Sequence, residues 1–201
     1  MRIFACSDLH GDAKLVESLV SKLRNENIDV VVIAGDLSFA ESGLEGIVGP
    51  FKEVAPTIIL IPGNHETPAT IDFLCEKYKP NVFNLHGRAL RIGDVGFFGL
   101  GLASIGLFNV FDEEAFELLS NAFEPIKDAE KKVLVTHEPP YGTKLDFIGW
   151  HTGSRAIREI IEKTQPDVCI CGHIHETFGK QDKIGKTLCL NVGRKGVIIE
   201  L

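Results

Sequence analysis

The chain has 201 residues, of which 44% are hydrophobic, and 21 basic against 28 acidic residues give it a net charge of −7. This length suits one unit with a sizeable core, so we expect residues 1–201 to form a single domain. The negative charge argues against broad binding to long nucleic acids, which depends on lysine and arginine contacts with phosphates.

The first half of the chain alternates short runs rich in valine and isoleucine with helix-like segments. Runs that are apolar on both faces predict strands covered on both sides, at Met1–Ser7, Asp29–Ala34 and Thr57–Ile61. Helices are expected between and after them, at Ala13–Asn25, Gly43–Val54 and Thr67–Lys77. Asp12 stands where the side chain that caps the first helix would stand.

The second half contains more strand-like sequence. Leu85–Gly101 predicts two strands joined by a tight turn at Gly93-Asp94. Helices are expected at Asp112–Phe123 and at Ser154–Lys163, where Ser154 is a natural N-cap. The remaining strands are expected at Lys132–Thr136, Asp167–Cys171, Leu188–Val192 and Gly196–Leu201. This alternation predicts an α/β protein with a mixed sheet.

The cellular compartment follows from two further observations. No apolar run is long enough to span a membrane, and the start of the chain becomes polar too soon for a signal peptide, so a cytoplasmic location is expected. The five cysteines are odd in number and lie mostly in apolar runs, which predicts buried free thiols. Cys169 and Cys171 are too closely spaced, and too isolated, for a zinc knuckle.

Five polar motifs each begin where a predicted strand stops. They are Asp8-Leu9-His10-Gly11-Asp12, Gly35-Asp36, Gly63-Asn64-His65-Glu66, Thr136-His137-Glu138 and Gly172-His173-Ile174-His175-Glu176. Open α/β sheets bind ligands just beyond the carboxyl ends of their strands, so these motifs are expected to meet at one rim.

The residue types in these motifs favour a pair of divalent transition-metal ions. Imidazole and carboxylate groups suit such ions, and manganese, iron, zinc or nickel would all fit a mixed set of nitrogen and oxygen ligands. The candidate ligands are Asp8, His10, Asp36, Asn64, His137, His173 and His175. A carboxylate has two oxygens, so Asp36 can bridge two ions. His65 is left over beside Asn64, and its position suits a general acid.

In this order, the motifs resemble those of the calcineurin-like metallophosphoesterase family: D-x-H, G-D, G-N-H-[DE], a lone H, and G-H-x-H. They span residues 8–175. The resemblance implies an α–β–β–α sandwich of two mixed sheets flanked by helices. It also implies one ion held by Asp8, His10, Asp36 and His175, and another held by Asp36, Asn64, His137 and His173. His65 would then be the catalytic histidine, assisting attack of a metal-bound hydroxide on a phosphate ester.

Departures from the family pattern indicate which branch of the family the chain resembles. Protein Ser/Thr phosphatases continue the second motif with Asp-Arg-Gly, whereas this chain has no arginine there, and they lack the H-x-H ending. Larger nucleases of the family carry a capping domain for which 201 residues leave no room. The sequence is closer to small prokaryotic-type phosphodiesterases. We therefore expect a small phosphoester substrate, nucleotides included, with no membrane partner and with the oligomeric state left open.

The loop 138–153 is the predicted wall of the substrate pocket, because it follows His137 directly and holds Phe147, Trp150 and His151. Asn64, His65 and His151 are accordingly candidate substrate contacts. A surface loop whose aromatic side chains pack on the core is the alternative. His86 is expected to lie outside the site. Glu66 and Glu176 either orient neighbouring histidines or are solvated carboxylates at the rim.

Three other functions remain open from the sequence: a phosphomonoesterase similar to protein Ser/Thr phosphatases, a nuclease acting on DNA or RNA ends, and a non-enzymatic interaction scaffold on the same fold. The net charge and the absence of a lysine or arginine cluster weaken the nuclease hypothesis. Scaffolds of this kind lose ligands or the catalytic histidine, and here the whole set is present.

Overall fold

The computed structural model describes residues 1–201 and contains eleven strands and four α-helices. The strands are β1 Arg2–Cys6, β2 Val30–Ala34, β3 Thr57–Ile61, β4 Val82–Asn84, β5 Arg88–Ile92, β6 Val95–Leu100, β7 Lys131–Thr136, β8 Val168–Cys171, β9 Gln181–Ile184, β10 Thr187–Asn191 and β11 Val197–Glu200. The helices are α1 Ala13–Leu23, α2 Pro68–Lys77, α3 Asp112–Phe123 and α4 Arg155–Thr164.

These strands build two mixed sheets. The first has the order β11-β1-β2-β3-β4, in which β1 to β4 are parallel and β11 is antiparallel to β1. The second has the order β5-β6-β7-β8-β10-β9, with a parallel centre and an antiparallel strand at each edge. The carboxyl ends of the central parallel strands therefore share one edge within each sheet.

The two sheets pack face to face and helices cover their outer faces. Alternate side chains of β2 show this arrangement: Val30 and Val32 lie in the core between the sheets, whereas Val31 and Ile33 pack beneath α1. Helices α3 and α4 cover the outer face of the second sheet. Strands buried on both faces explain the continuous apolar runs in the sequence. The predicted α–β–β–α sandwich is confirmed.

Most predicted elements are present with ends shifted by a few residues. The hairpin turns at Gly93-Asp94, between β5 and β6. Asp12 caps α1 by accepting a hydrogen bond from the backbone nitrogen of Leu15 at 3.0 Å, and Ser154 caps α4 in the same way. All five cysteines are free, and four of them are buried. None of the helices is both long and apolar enough to cross a membrane.

The helix predicted at Gly43–Val54 is wrong. This segment is a series of turns that ends in a 3-10 helix, Gly49–Glu53. Gly43 and Gly46 adopt φ angles of 78° and 74°, which are left-handed conformations that interrupt an α-helix. Strands β4 and β9 were not predicted, because the first has only three residues and the second is a polar edge strand, QDKI.

Candidate metal centre

The seven candidate ligands meet at one rim that both sheets contribute to. Asp8 and His10 follow β1, Asp36 follows β2 and Asn64 follows β3, all from the first sheet. The remaining three follow strands of the second sheet: His137 comes after β7, and His173 and His175 come after β8. The rim is therefore the place where the carboxyl ends of five parallel strands come together.

Within this rim, three groups of side chains place ligand atoms within 4.8 Å of one another. The groups are Asp8 with His10 and His175, Asp36 with His137 and His173, and His10 with Asp36 and His65. Asp36 belongs to two of them. Its Oδ2 lies 3.8 Å from Nε2 of His10 and 3.4 Å from Nε2 of His137, so a single oxygen faces both halves of the cluster.

Asp8 presents a buried oxygen with no hydrogen-bond partner. Its side chain is fully buried; Oδ2 accepts a hydrogen bond from the backbone nitrogen of His173 at 3.1 Å, whereas Oδ1 has no donor. Nε2 of His175 lies 3.4 Å from that free oxygen. A buried carboxylate oxygen without a donor is costly unless a cation occupies the space beside it. The donor set at this position fits a metal ion.

Backbone carbonyls fix the orientation of two of the histidines. Nδ1 of His137 donates to the carbonyl of Ala34 at 2.8 Å, and Nδ1 of His10 donates to the carbonyl of Ser38 at 3.2 Å. Since a carbonyl can only accept, each ring carries a proton on Nδ1, and Nε2 is the nitrogen turned toward Asp36. Carbonyl-anchored rings of this kind are typical of histidine ligands to metals.

The carboxylates and histidines shift one another's pKa values. Burial raises the pKa of Asp36, but His137, His65 and His10 together outweigh this effect and lower it to about 2. Burial lowers the pKa of His137, but the charge and hydrogen bond of Asp36, with the charge of Asp8 and the carbonyl of Ala34, together raise it to about 10. Burial, followed by the charge of His137, lowers the pKa of His173 to about 4. The centre holds both carboxylates ionised at neutral pH.

Four candidate ligands have left-handed backbone conformations, which are uncommon outside glycine. The φ angles are 56° for Asp8, 47° for His10, 50° for Asp36 and 67° for His173. Asp and His tolerate this region better than branched residues do, but the conformation still carries strain. Strained residues cluster at functional sites because the surrounding structure holds the side chain in a required direction.

Glycines let two backbone segments approach the candidate ligands closely. A Cβ atom on Gly63 would lie 2.0 Å from Oδ1 of Asp36 and 2.2 Å from its backbone nitrogen. A Cβ atom on Gly35 would lie 2.4 Å from Nδ1 of His137, and Gly35 also has a φ of 89°. No other residue type fits at either position without moving a candidate ligand.

His65 is oriented toward the cluster with one nitrogen free. Its Nδ1 accepts a hydrogen bond from the backbone nitrogen of Ala40 at 3.2 Å, so the ring proton is on Nε2. Its backbone nitrogen donates to Oδ1 of Asp36 at 3.1 Å. The ring stacks on Phe39 with centroids 4.9 Å apart, and it stands at 90° to the ring of His10 at 5.1 Å. This arrangement presents an N–H group beside the candidate ligands.

Two buried carboxylates hold the loops of the rim together, a role that the sequence did not indicate for either of them. Glu66 is buried and accepts hydrogen bonds from the backbone nitrogen and hydroxyl of Ser38, both at 2.7 Å, and from the backbone nitrogen of Gly63 at 3.0 Å. It joins the Asp36 and Asn64 loops and does not bond a histidine. Glu138 binds Ser104 in the same manner. The only sequence signal was that each carboxylate adjoins a motif histidine.

The other singled-out residues lie apart from the cluster. His151 donates from Nδ1 to the buried Oδ1 of Asp146 at 2.8 Å and has rings of the loop 138–153 on both sides. It is absent from the three groups of ligand atoms. His86 accepts a hydrogen bond from the backbone nitrogen of Gly101 at 3.0 Å. Glu176 is exposed.

Two facing mixed sheets with a rim of histidine and carboxylate groups are the features of a metallophosphoesterase fold. The sequence model of calcineurin-like phosphoesterases matches residues 1–177. The chain belongs to this family, whose members depend on a dinuclear metal centre.

Relatives and solved structures agree with this assignment. An uncharacterized protein of Methanocaldococcus jannaschii is 31% identical over 208 residues, covering 99% of this chain and 91% of that protein. A solved dimetal phosphatase from Danio rerio superposes with a TM-score of 0.65 at 13% identity, covering 96% of this chain and 87% of that one. A solved archaeal phosphodiesterase gives 0.57 at 17% identity, covering 96% and 84%. At these identities, the two structures establish the fold alone.

Proposed function

We propose that this protein hydrolyses phosphate esters at a dinuclear metal centre, with phosphodiesters preferred. The observation that carries the proposal is the pair of ligand groups on either side of Asp36. Asp8, His10, Asp36 and His175 would hold one ion, and Asp36, Asn64, His137 and His173 the other. Two divalent ions, when bound, supply a water nucleophile of lowered pKa and polarise the phosphoryl oxygens.

The residues of the chain orient the substrate and move a proton. Asn64 places its amide oxygen 3.1 Å from Nε2 of His137, and it would also contact the substrate from the same end of the cluster. His65 carries a proton on Nε2 and is held by Ala40 and Phe39. In this position His65 would donate that proton to the departing alkoxide, or a hydrogen bond to the phosphoryl group.

Charge supports the preference for diesters. Two divalent ions and the two carboxylates of Asp8 and Asp36 sum to +2. A hydroxide nucleophile and a diester monoanion together carry −2 and neutralise that charge. A hydroxide and a monoester dianion together carry −3, which leaves an excess negative charge. The segments 8–12, 35–43, 63–67 and 172–178 contain no lysine or arginine to offset the excess. Arg194 is engaged with Asp12 and with the carbonyl of Leu9.

The test is a substrate panel with protein reconstituted with Mn²⁺, using bis-p-nitrophenyl phosphate as the diester and p-nitrophenyl phosphate as the monoester. We expect turnover of both with a higher kcat/KM for the diester. Inertness toward both compounds would refute the proposed hydrolysis, and a monoester preference would refute the charge argument. A phosphopeptide and single-stranded DNA at varied salt complete the panel, because they test the protein phosphatase and nuclease alternatives.

The role of His65 is tested by His65→Ala. Loss of a general acid lowers turnover by about 100- to 10,000-fold, and metal content should stay at two ions because His65 is not a proposed ligand. His86→Gln is the matched control, since His86 lies outside the cluster. Unchanged turnover in His65→Ala would refute the role. A wild-type chain that binds no metal after supplementation would instead favour the scaffold hypothesis.

A further inference from the structure

A cavity of about 450 Å³ lies between the loop 142–151 and the segment 180–182. Its lining includes Lys144, Phe147, His151, Lys180 and Asp182, and none of the seven candidate metal ligands. The space is large enough for a small organic molecule. It is therefore a second site candidate, distinct from the metal cluster.

One wall of the cavity is fixed by a buried carboxylate. Asp146 is fully buried and accepts hydrogen bonds from the backbone nitrogens of Thr143 at 2.8 Å and of Gly142 and Gly153 at 3.1 Å. It also accepts from Nδ1 of His151 at 2.8 Å. The ring is thus held in one orientation, and Nε2 is left as the nitrogen available to a ligand.

The lining carries two lysines, Lys144 and Lys180, against one carboxylate, Asp182, which gives it a formal charge of +1 in a chain of net charge −7. Both carboxylate oxygens of Asp182 accept backbone hydrogen bonds at 2.9 Å, one from Lys144 and one from Lys183. Other lysines, such as Lys131, form ion pairs with carboxylates, whereas neither Lys144 nor Lys180 does. The ammonium groups of these two lysines are consequently free to bind an anion beside His151.

We propose that this cavity binds the phosphate group of a small phosphorylated molecule, contacted by Lys144, His151 and Lys180. Lysine ammonium groups are suitable donors to phosphate oxygens. Because Nδ1 of His151 donates to Asp146, Nε2 accepts a hydrogen bond from a phosphate hydroxyl, or donates to a phosphate oxygen when the ring is protonated. Phe147, with 49% of its surface exposed, offers an apolar surface to the rest of the molecule.

The cavity adjoins the segment that carries His175. The hydroxyl of Thr177 donates to the carbonyl of Leu145 at 2.6 Å, and the ring of Phe178 lies 4.7 Å from that of His175. The bound phosphate can therefore belong either to a separate ligand or to the far end of a substrate whose ester lies at the metal cluster. The recognition chemistry is the same in both cases.

Trp150 makes the binding step measurable without turnover. It is the only tryptophan, it is next to His151 in the chain, and it is 67% exposed. We expect inorganic phosphate to change its fluorescence saturably in the metal-loaded protein. Because charge-assisted hydrogen bonds are worth about 1.5–3 kcal/mol, Lys180→Met and His151→Gln should each weaken this binding by about 10-fold or more.

Lys183→Met is the matched control, because Lys183 lies in the edge strand β9, which begins directly after Lys180, and its side chain points to the opposite face from Asp182. This variant should bind phosphate as the wild type does. An absent phosphate signal, or an equal loss in Lys183→Met, would overturn the proposal. So would loss of the signal in Asp36→Asn, since the signal would then come from the metal cluster.

A second measurement distinguishes the two sources of the phosphate. A dinucleotide with a 5′-phosphate is compared with the same dinucleotide lacking it. A lower KM for the phosphorylated compound that disappears in Lys180→Met assigns the cavity to the substrate. Equal KM values, with phosphate binding retained, assign it to a separate ligand. The fluorescence result stands even if neither compound is hydrolysed, so failure of the proposed hydrolysis would be recognised separately.

Discussion

Gly63→Ala is a sharp test of the close packing around Asp36. The new Cβ atom would lie 2.0 Å from Oδ1 and 2.2 Å from the backbone nitrogen of Asp36. Favourable non-bonded contacts lie at about 3.5 Å or more, so one of the two loops must move by about 1.5 Å. The contact with the backbone nitrogen cannot be relieved by rotating a side chain, and Asp36 itself will be displaced.

The expected effect on catalysis is large because Asp36 is the proposed bridging ligand. A displacement of about 1 Å at a catalytic constellation can reduce the rate about 100-fold, so kcat/KM for bis-p-nitrophenyl phosphate should fall at least that far. Metal content should fall below two ions per chain. Overpacking of this kind also destabilises a fold by about 1–3 kcal/mol, which thermal unfolding followed by circular dichroism will measure.

The matched control is Gly49→Ala. Gly49 begins the 3-10 helix and has an ordinary φ, and the nearest atom to an added Cβ is Cε1 of Tyr78 at 3.0 Å. This variant should keep its metal and its activity. The reasoning would be refuted if Gly63→Ala bound two ions and retained kcat/KM within about a factor of three of the wild-type value, a change too small to reflect a displaced ligand.

Three further predictions concern residues around the rim. Glu66→Gln replaces a carboxylate that accepts three hydrogen bonds by an amide whose nitrogen cannot accept, so at least one buried donor loses its partner. The free energy of unfolding should fall by about 1–3 kcal/mol, and chemical denaturation will measure it. A smaller decrease would contradict the bridging role. Burial, and then the charge of Arg88, holds the pKa of His86 at about 4. In the unfolded chain the His86 pKa is near 6.5, so on acidification the unfolded chain binds a proton at His86 before the folded chain does. The free energy of unfolding should therefore fall by roughly 3 kcal/mol between pH 6.5 and pH 4. The same pH dependence in His86→Gln would contradict this. Phe39→Ala removes the ring stacked on His65, a contact that contributes about 0.5–1.5 kcal/mol. It should lower kcat/KM by about 2- to 10-fold with metal content unchanged. Steady-state kinetics and metal analysis will measure both quantities, and an unchanged kcat/KM would contradict the role of Phe39.

The layers of the fold could be predicted because strands buried on both faces are continuous apolar runs in the sequence. Runs such as Asp29–Ala34 are apolar at every position after the first, and alternate residues of β2 enter two different cores. The prediction of a helix at Gly43–Val54 was wrong because the spacing of its apolar residues is helical, whereas Gly43 and Gly46 adopt left-handed conformations. Strand β9 was not predicted because its own composition is polar. It is a strand because it pairs with β10 at the edge of the sheet.

The convergence of the seven candidate ligands could be predicted because each motif directly follows a predicted strand, and the carboxyl ends of parallel strands share an edge. The role of Glu66 could not be foreseen, because it depends on which loop stands beside it. The position of His151 had the same limit: its partner Asp146 is five residues away, but the cavity beside it requires Lys180 and Asp182 from a distant segment.

The left-handed backbone at Asp8, His10, Asp36 and His173 links folding to the supply of metal. Each such conformation costs on the order of 1–2 kcal/mol in a non-glycine residue, so the four together are comparable to a typical net stability of about 5–15 kcal/mol. An ion that binds only the folded chain offsets this cost in proportion to the logarithm of its concentration. Removal of the ions would withdraw that offset, so the metal-free chain should unfold at a lower temperature than the metal-loaded chain.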